Sequence, residues 1–163
     1  MDLTKFETEE LLLVAIKSEI ESERIYTKTE ERVKNAFLRE RFRFLAGEEK
    51  NHRAFLEGFY KKQFGDKKII IPETSEVPLP DIKIDTENDP ISKILEQSMK
   101  AELAAKEFYK ALSLKFSDKK TINMLELLSK MEDEHYRILS TEHNNALLFE
   151  DYDETWPNMH MGA

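Results

Sequence analysis

The sequence predicts an all-α fold, a four-helix bundle made of two helical hairpins joined by a long crossover. Three observations predict it. Apolar residues recur at steps of three and four along four segments, which is the seam of a bundle. Only four Gly and five Pro interrupt 163 residues, a length sufficient for one domain with a proper core. One pattern also occurs twice, 83 residues apart: Glu19 followed by Glu49 and His52, then Glu102 followed by Glu132 and His135.

The first helix is predicted to start near Thr4, whose Thr4-x-x-Glu7 spacing suits a capping box, and to run to about Lys34. Its inward stripe is Leu12, Ile16, Glu19, Ser22, Tyr26, Thr29 and Val33. Asn35 caps the second helix, with Leu38, Phe42, Leu45, Glu49, His52, Leu56 and Phe59 facing in, and Gly65 stops it. The third opens at Asp89-Pro90, an N-cap residue followed by Pro at the first helical position. Its stripe is Leu95, Met99, Glu102, Ala105, Tyr109, Leu112 and Phe116. Asp118 stands where Asn35 stands in the first copy and caps the fourth helix, with Thr121, Leu125, Leu128, Glu132, His135 and Leu139 inward. The expected organisation is a single domain over 1–163, with hairpins at 5–64 and 90–148, a connection at 65–89 and a tail at 149–163.

Helix geometry places the repeated residues. Glu19 lies 16 residues before Asn35 and Glu49 lies 14 after it, so an antiparallel hairpin with equal rise on both arms sets the two carboxylates at nearly one height. Glu102, Asp118 and Glu132 repeat the arithmetic, and each Glu-x-x-His puts both side chains on one helix face. Two hairpins packed face to face bring all six side chains into one mid-bundle layer. Residues 66–88 are rich in Pro, Asp and β-branched residues (Ile69-Ile70-Ile71-Pro72, Val77-Pro78-Leu79-Pro80, Ile82-Lys83-Ile84). At roughly 3.3 Å per residue they can span a bundle of about 45 Å.

Four carboxylates and two imidazoles are the donors of a dinuclear carboxylate-bridged metal site. Ionised groups inside an apolar stripe are costly unless paired or coordinated. Two divalent ions balance four carboxylates. The repeat also resolves one ambiguity: the counterpart of Glu48 is Met131, whereas Glu49 matches Glu132.

Composition excludes other classes. A net charge of −8 and no long Lys/Arg block argue against nucleic acid as a partner. No Cys means no disulfide framework, thiolate metal site or thiol nucleophile. The apolar run Leu11–Ile16 is too short for a signal or membrane segment, so the expected location is cytoplasmic, with no membrane partner. His143 and His160 lack a partnered Glu and read as surface residues, the Met residues as core filler, and Tyr152–Ala163, with Trp156-Pro157, as a terminus.

Ala15-x-x-x-Glu19 with Ile25-Tyr26, Glu102-x-x-Ala105-x-x-Phe108-Tyr109, Glu49-Lys50-Asn51-His52 and Glu132-Asp133-Glu134-His135 resemble the rubrerythrin branch of the ferritin-like di-iron superfamily, over roughly residues 8–64 and 90–148. The resemblance implies a ferritin-like bundle with a non-haem di-iron site, two Fe ions with Mn or Zn as alternatives. It implies that Glu49 and Glu132 bridge, Glu19 and Glu102 chelate terminally, and His52 and His135 each bind one metal. Tyr26 and Tyr109 would orient the carboxylates; amphipathic Tyr residues of a bundle core are the other reading.

The chain departs from the family pattern in two places. It has no Cys for a rubredoxin module, so electrons would come from a separate donor. Ala105 stands where peroxidase-type members carry an additional Glu one turn after the lone Glu of the third helix. The expected function is an oxidoreductase acting on H2O2 or O2. An iron-storage or ferroxidase protein and a metal-stabilised structural bundle without turnover are the competing classes, and a homo-oligomer, with a dimer favoured, is the expected assembly.

Overall fold

The computed structural model describes residues 1–79 and 83–155, with side chains through residue 148. Pro80, Asp81 and Ile82 of the connection, and Trp156–Ala163 with Pro157 and His160, lie outside the described residues. Among the described residues four helices follow in order: α1 (Thr8–Arg32), α2 (Ala36–Phe64), α3 (Ile91–Ser113) and α4 (Lys119–Thr155). α1 packs along α2 and α3 along α4; α1 approaches α3 and α2 approaches α4 more loosely. Among the described residues no helix is long and apolar enough to cross a membrane.

The hairpin caps are as the sequence predicts. Asn35 Oδ1 accepts from the backbone N–H groups of Phe37 (2.9 Å) and Leu38 (3.1 Å), and Asp118 Oδ1 accepts from that of Thr121 (2.9 Å). Each satisfies donors that a helix start leaves orphaned. Gly65 ends α2 with φ 66°, a left-handed conformation that glycine adopts without penalty, and its N–H reaches the Lys61 carbonyl at 2.8 Å.

Three boundaries differ from expectation. α1 begins at Thr8, not near Thr4, because the Thr4 amide and hydroxyl turn back onto Asp2 (2.9 and 2.7 Å) and Leu3 and Phe6 tuck into the core ahead of the helix. Glu7 is the N-cap and makes no side-chain cap bond, so no capping box forms. Pro90, not Asp89, caps α3, since the Asp89 carboxylate is taken up by the Asp85 amide (3.0 Å) and the Lys93 ammonium (2.7 Å). α4 continues to Thr155, past residue 148, consistent with the absence of Gly or Pro from Asn144 to Thr155.

The inward stripes are buried, except that Leu38, Met99 and Phe116 are only partly covered. The core splits into two apolar clusters. One joins Leu11, Leu12 and Ile16 of α1 to Leu56 and Tyr60 of α2, Phe108 and Leu112 of α3 and Leu125 of α4. The other joins Ile25, Phe42, Leu45, Ile94, Leu95 and Leu139. The start of α1 therefore lies with the end of α3, and the start of α4 with the end of α2, as a crossover that returns the chain along the bundle requires. That crossover runs along α1: Lys17 Nζ donates to the Glu73 carbonyl (2.8 Å), Arg32 Nη1 to those of Thr86 (3.0 Å) and Asp89 (2.6 Å), and Val77 and Ile84 join the two clusters.

Candidate metal centre

Between the two clusters sits a polar layer. Glu19, Glu49, His52, Glu102, Glu132 and His135 are each at most 3% exposed, one from α1, two from α2, one from α3 and two from α4. All six residues singled out by the repeat are thus buried together. The layer has near-twofold symmetry. His52 Nδ1 is 3.0 Å from Glu132, 3.4 Å from Glu49 and 3.5 Å from Glu19. His135 Nδ1 is 3.0 Å from Glu49, 3.2 Å from Glu132 and 3.7 Å from Glu102. Glu49 and Glu132 lie between the two imidazoles, whose rings stack at 5.4 Å with an 18° interplanar angle. Glu48 stays out of the layer, half-exposed, and accepts from Asn51 Nδ2 at 3.4 Å.

The tyrosines cross the halves of the molecule. Tyr26 donates to Glu102 Oε1 and Tyr109 to Glu19 Oε1. Each hydroxyl occupies one oxygen of a lone Glu and thereby aims the other. These pairings also fix the antiparallel register of α1 against α3, with residue 26 level with 102 and residue 19 level with 109. The helix faces that carry Tyr26 and Tyr109 are legible in sequence. Their exchange between halves is not, because it depends on which side the crossover packs.

Many polar atoms of this layer are left without hydrogen bonds: Glu19 Oε2, Glu49 Oε1, both Glu132 oxygens, both His52 nitrogens and His135 Nδ1. The short Nδ1–carboxylate distances lack hydrogen-bond alignment. Buried polar atoms are nearly always satisfied, so this many in one place implies a group that they converge on. Glu49, His52, Glu132 and His135 each offer a ligand atom within 4.8 Å of the others. Carboxylate oxygen and imidazole nitrogen, with no thiolate, is a divalent-metal donor set.

Protonation follows the same geometry. Burial, then the charges of Glu132 and Glu49, hold the Glu19 carboxyl well above its usual range, and burial with Glu49 does so for Glu102. Burial opposes ionisation of Glu49 and Glu132 too, but there the two imidazoles outweigh it and both carboxyls titrate low. Burial likewise disfavours the charged imidazoles, yet the carboxylates facing them win: Glu132, Glu19 and Glu49 push His52 up to about 12, and Glu102, Glu132 and Glu49 raise His135 as well. Burial and the neighbouring carboxylates keep both tyrosines protonated. The metal-free layer thus favours protons on Glu19, Glu102, His52 and His135, whose positive charge offsets the carboxylates as divalent cations would. The layer fits a dinuclear metal site. His143, partly exposed on α4, stays outside it.

Comparison with known proteins agrees. No curated protein matches the chain. A solved structure of a hypothetical protein from Pyrococcus furiosus superposes with a TM-score of 0.76 at 30% identity, covering 91% of this chain and 95% of that one. The rubrerythrin family model matches residues 10–143, which include every residue of the layer and both tyrosines. The chain belongs to the rubrerythrin family.

Proposed function

We propose that the layer holds two iron ions and that the protein is an oxidoreductase reducing peroxide or O2 with electrons from a separate donor. The observation that carries this reading is the convergence of unpartnered carboxylate and imidazole atoms between two apolar clusters. Glu19 with His52 would hold one metal, Glu102 with His135 the other, and Glu49 and Glu132, lying between the imidazoles, would be shared. Bound as Fe(II), the pair supplies the two electrons that cleavage of an O–O bond takes up.

The protein supplies position and environment. Tyr26 and Tyr109 keep their protons and hold Glu102 and Glu19 in fixed orientations. Leu56 and Phe108 on one side and Leu45 and Leu95 on the other exclude bulk water, which strengthens the field of the carboxylates at the site. Four carboxylates against two divalent ions leave the layer near neutrality, so with both ions bound it bears no large uncompensated buried charge.

Stopped-flow mixing of anaerobically reduced, iron-loaded protein with H2O2, and separately with O2, tests this. The expected result is ferric absorption appearing faster than from free Fe(II), with return to the ferrous state on adding a reductant. Oxidation followed by accumulation of iron beyond two per chain indicates storage instead. No reaction faster than that of free Fe(II) indicates a structural metal site.

A further inference from the structure

Where α2 ends and α4 begins, two adjoining grooves open on the surface away from the crossover. One, about 330 Å³, is lined by Phe55, Gly58, Phe59 and Met124; the other, about 710 Å³, by Met124 and Leu127, the last 49% exposed. Lys62 and Lys120 flank the first, and Lys119, Lys120 and Lys130 the second, with Glu126 the one lining carboxylate among the described residues. Elsewhere Lys93, Lys100 and Lys106 each hold a carboxylate at 2.6–2.8 Å. Among the described residues Lys119, Lys120 and Lys130 hold no carboxylate, while Lys62 lies near enough to Asp118 to lower its carboxyl. In a chain of net charge −8, this is a local cationic ring around an apolar floor.

A surface of that kind matches an acidic protein: the apolar centre gives burial, and the ring steers and orients the approach. The floor also begins one helical turn from the Glu–His layer. Phe55 is three residues past His52 on α2, about 4.5 Å of helix rise, and Phe59 packs on both Phe55 and Phe116. We propose that this lysine-ringed face docks an acidic one-electron carrier protein. The inference rests on the proposed function for the carrier's role, though not for the surface itself. Reduction of peroxide, H2O2 + 2 e− + 2 H+ → 2 H2O, breaks one O–O bond. It takes two encounters, each oxidising one carrier by one electron, with protons from water.

The test uses full-length protein loaded with Zn, which removes redox turnover from the readout, and a plant-type [2Fe–2S] ferredoxin as the acidic carrier, followed by titration calorimetry. Binding is expected at low salt, weakening at least about tenfold between roughly 0.02 and 0.3 M salt as the Debye length shrinks. Lys120→Glu with Lys130→Glu should weaken it by a further factor of about ten or more. The same charge change at the opposite end, Lys28→Glu with Lys34→Glu, should leave it unchanged, with melting temperatures confirming that both variants fold. No binding at low salt, or equal loss in both variants, overturns the proposal. So does tighter, Lys120- and Lys130-dependent binding to duplex DNA or to phosphatidylserine vesicles. Docking that persists where the iron-loaded protein shows no reaction with peroxide or O2 supports the surface and sinks the oxidoreductase reading.

Discussion

Tyr26 donates its phenolic hydrogen to Glu102, a carboxylate 76 residues away on the facing helix, and Tyr109 returns the same bond to Glu19. The two halves of the chain thus complete each other's ligand set, which ties the register of α1 and α3 to the geometry of the layer.

Tyr26→Phe leaves Glu102 with a buried, unsatisfied oxygen at unchanged packing. It should destabilise the protein by about 1–3 kcal/mol, the cost of orphaning a buried polar group, and Tyr109→Phe should cost a similar amount. Urea denaturation of both variants measures this; a loss well under 1 kcal/mol in each would show that the tyrosines act as core filler.

Ser98 provides the converse case. Its hydroxyl is buried on α3 without a hydrogen-bond partner, and Ala15 fills the corresponding position of the first copy. Ser98→Ala should leave stability unchanged or raise it by up to about 1 kcal/mol, since removing an unsatisfied hydroxyl removes a desolvation cost. A clear loss in the same denaturation assay would reveal an undetected partner.

The metal-free protein should lose stability as pH rises. His52 has an ordinary pKa of 6.5 and is pushed up to about 12 in the fold. The folded state therefore binds more protons between those values, and the His52 contribution, full below 6.5, fades as pH climbs toward 12. The raised Glu19 and Glu102 carboxyls act in the same direction above 4.5, while the depressed Glu49 and Glu132 remove stability below it. Metal binding displaces the same protons, so affinity should increase with pH. The gap in melting temperature between metal-loaded and chelator-treated protein should accordingly widen from about pH 6.5 to 9. A constant gap would mean that metal does not replace protons in this layer.

Glu49→Ala removes a carboxylate lying between the two imidazoles and should reduce metal content from two ions per chain to about one or none. Glu48→Ala, one residue away but half-exposed and facing Asn51, should keep both. Elemental analysis after dialysis distinguishes them, and equal losses would misplace the site.

The layer is legible in sequence because helical rise converts spacing into height: Glu19 and Glu49 flank Asn35 almost evenly, and the second copy repeats the interval. The hairpin caps are legible because Asn35 and Asp118 carry side chains suited to orphaned amides. The start of α1 is not, since Thr4 competes locally with Asp2 and Leu3 and Phe6 are drawn into the core by tertiary burial. Neither is the side on which the crossover lies, because an extended Pro-rich connection has no periodicity to mark the helix pair it covers. The crossed tyrosine bonds follow from that choice and become visible only with it.

Diffraction from crystals of the iron-loaded protein, with anomalous data collected on both sides of the iron absorption edge, locates the metals in the Glu–His layer. Two iron peaks per chain are expected within about 4 Å of each other, one beside Glu19 and His52, the other beside Glu102 and His135, with Glu49 and Glu132 between them. A single peak, or none within the Glu–His layer, would contradict the dinuclear assignment.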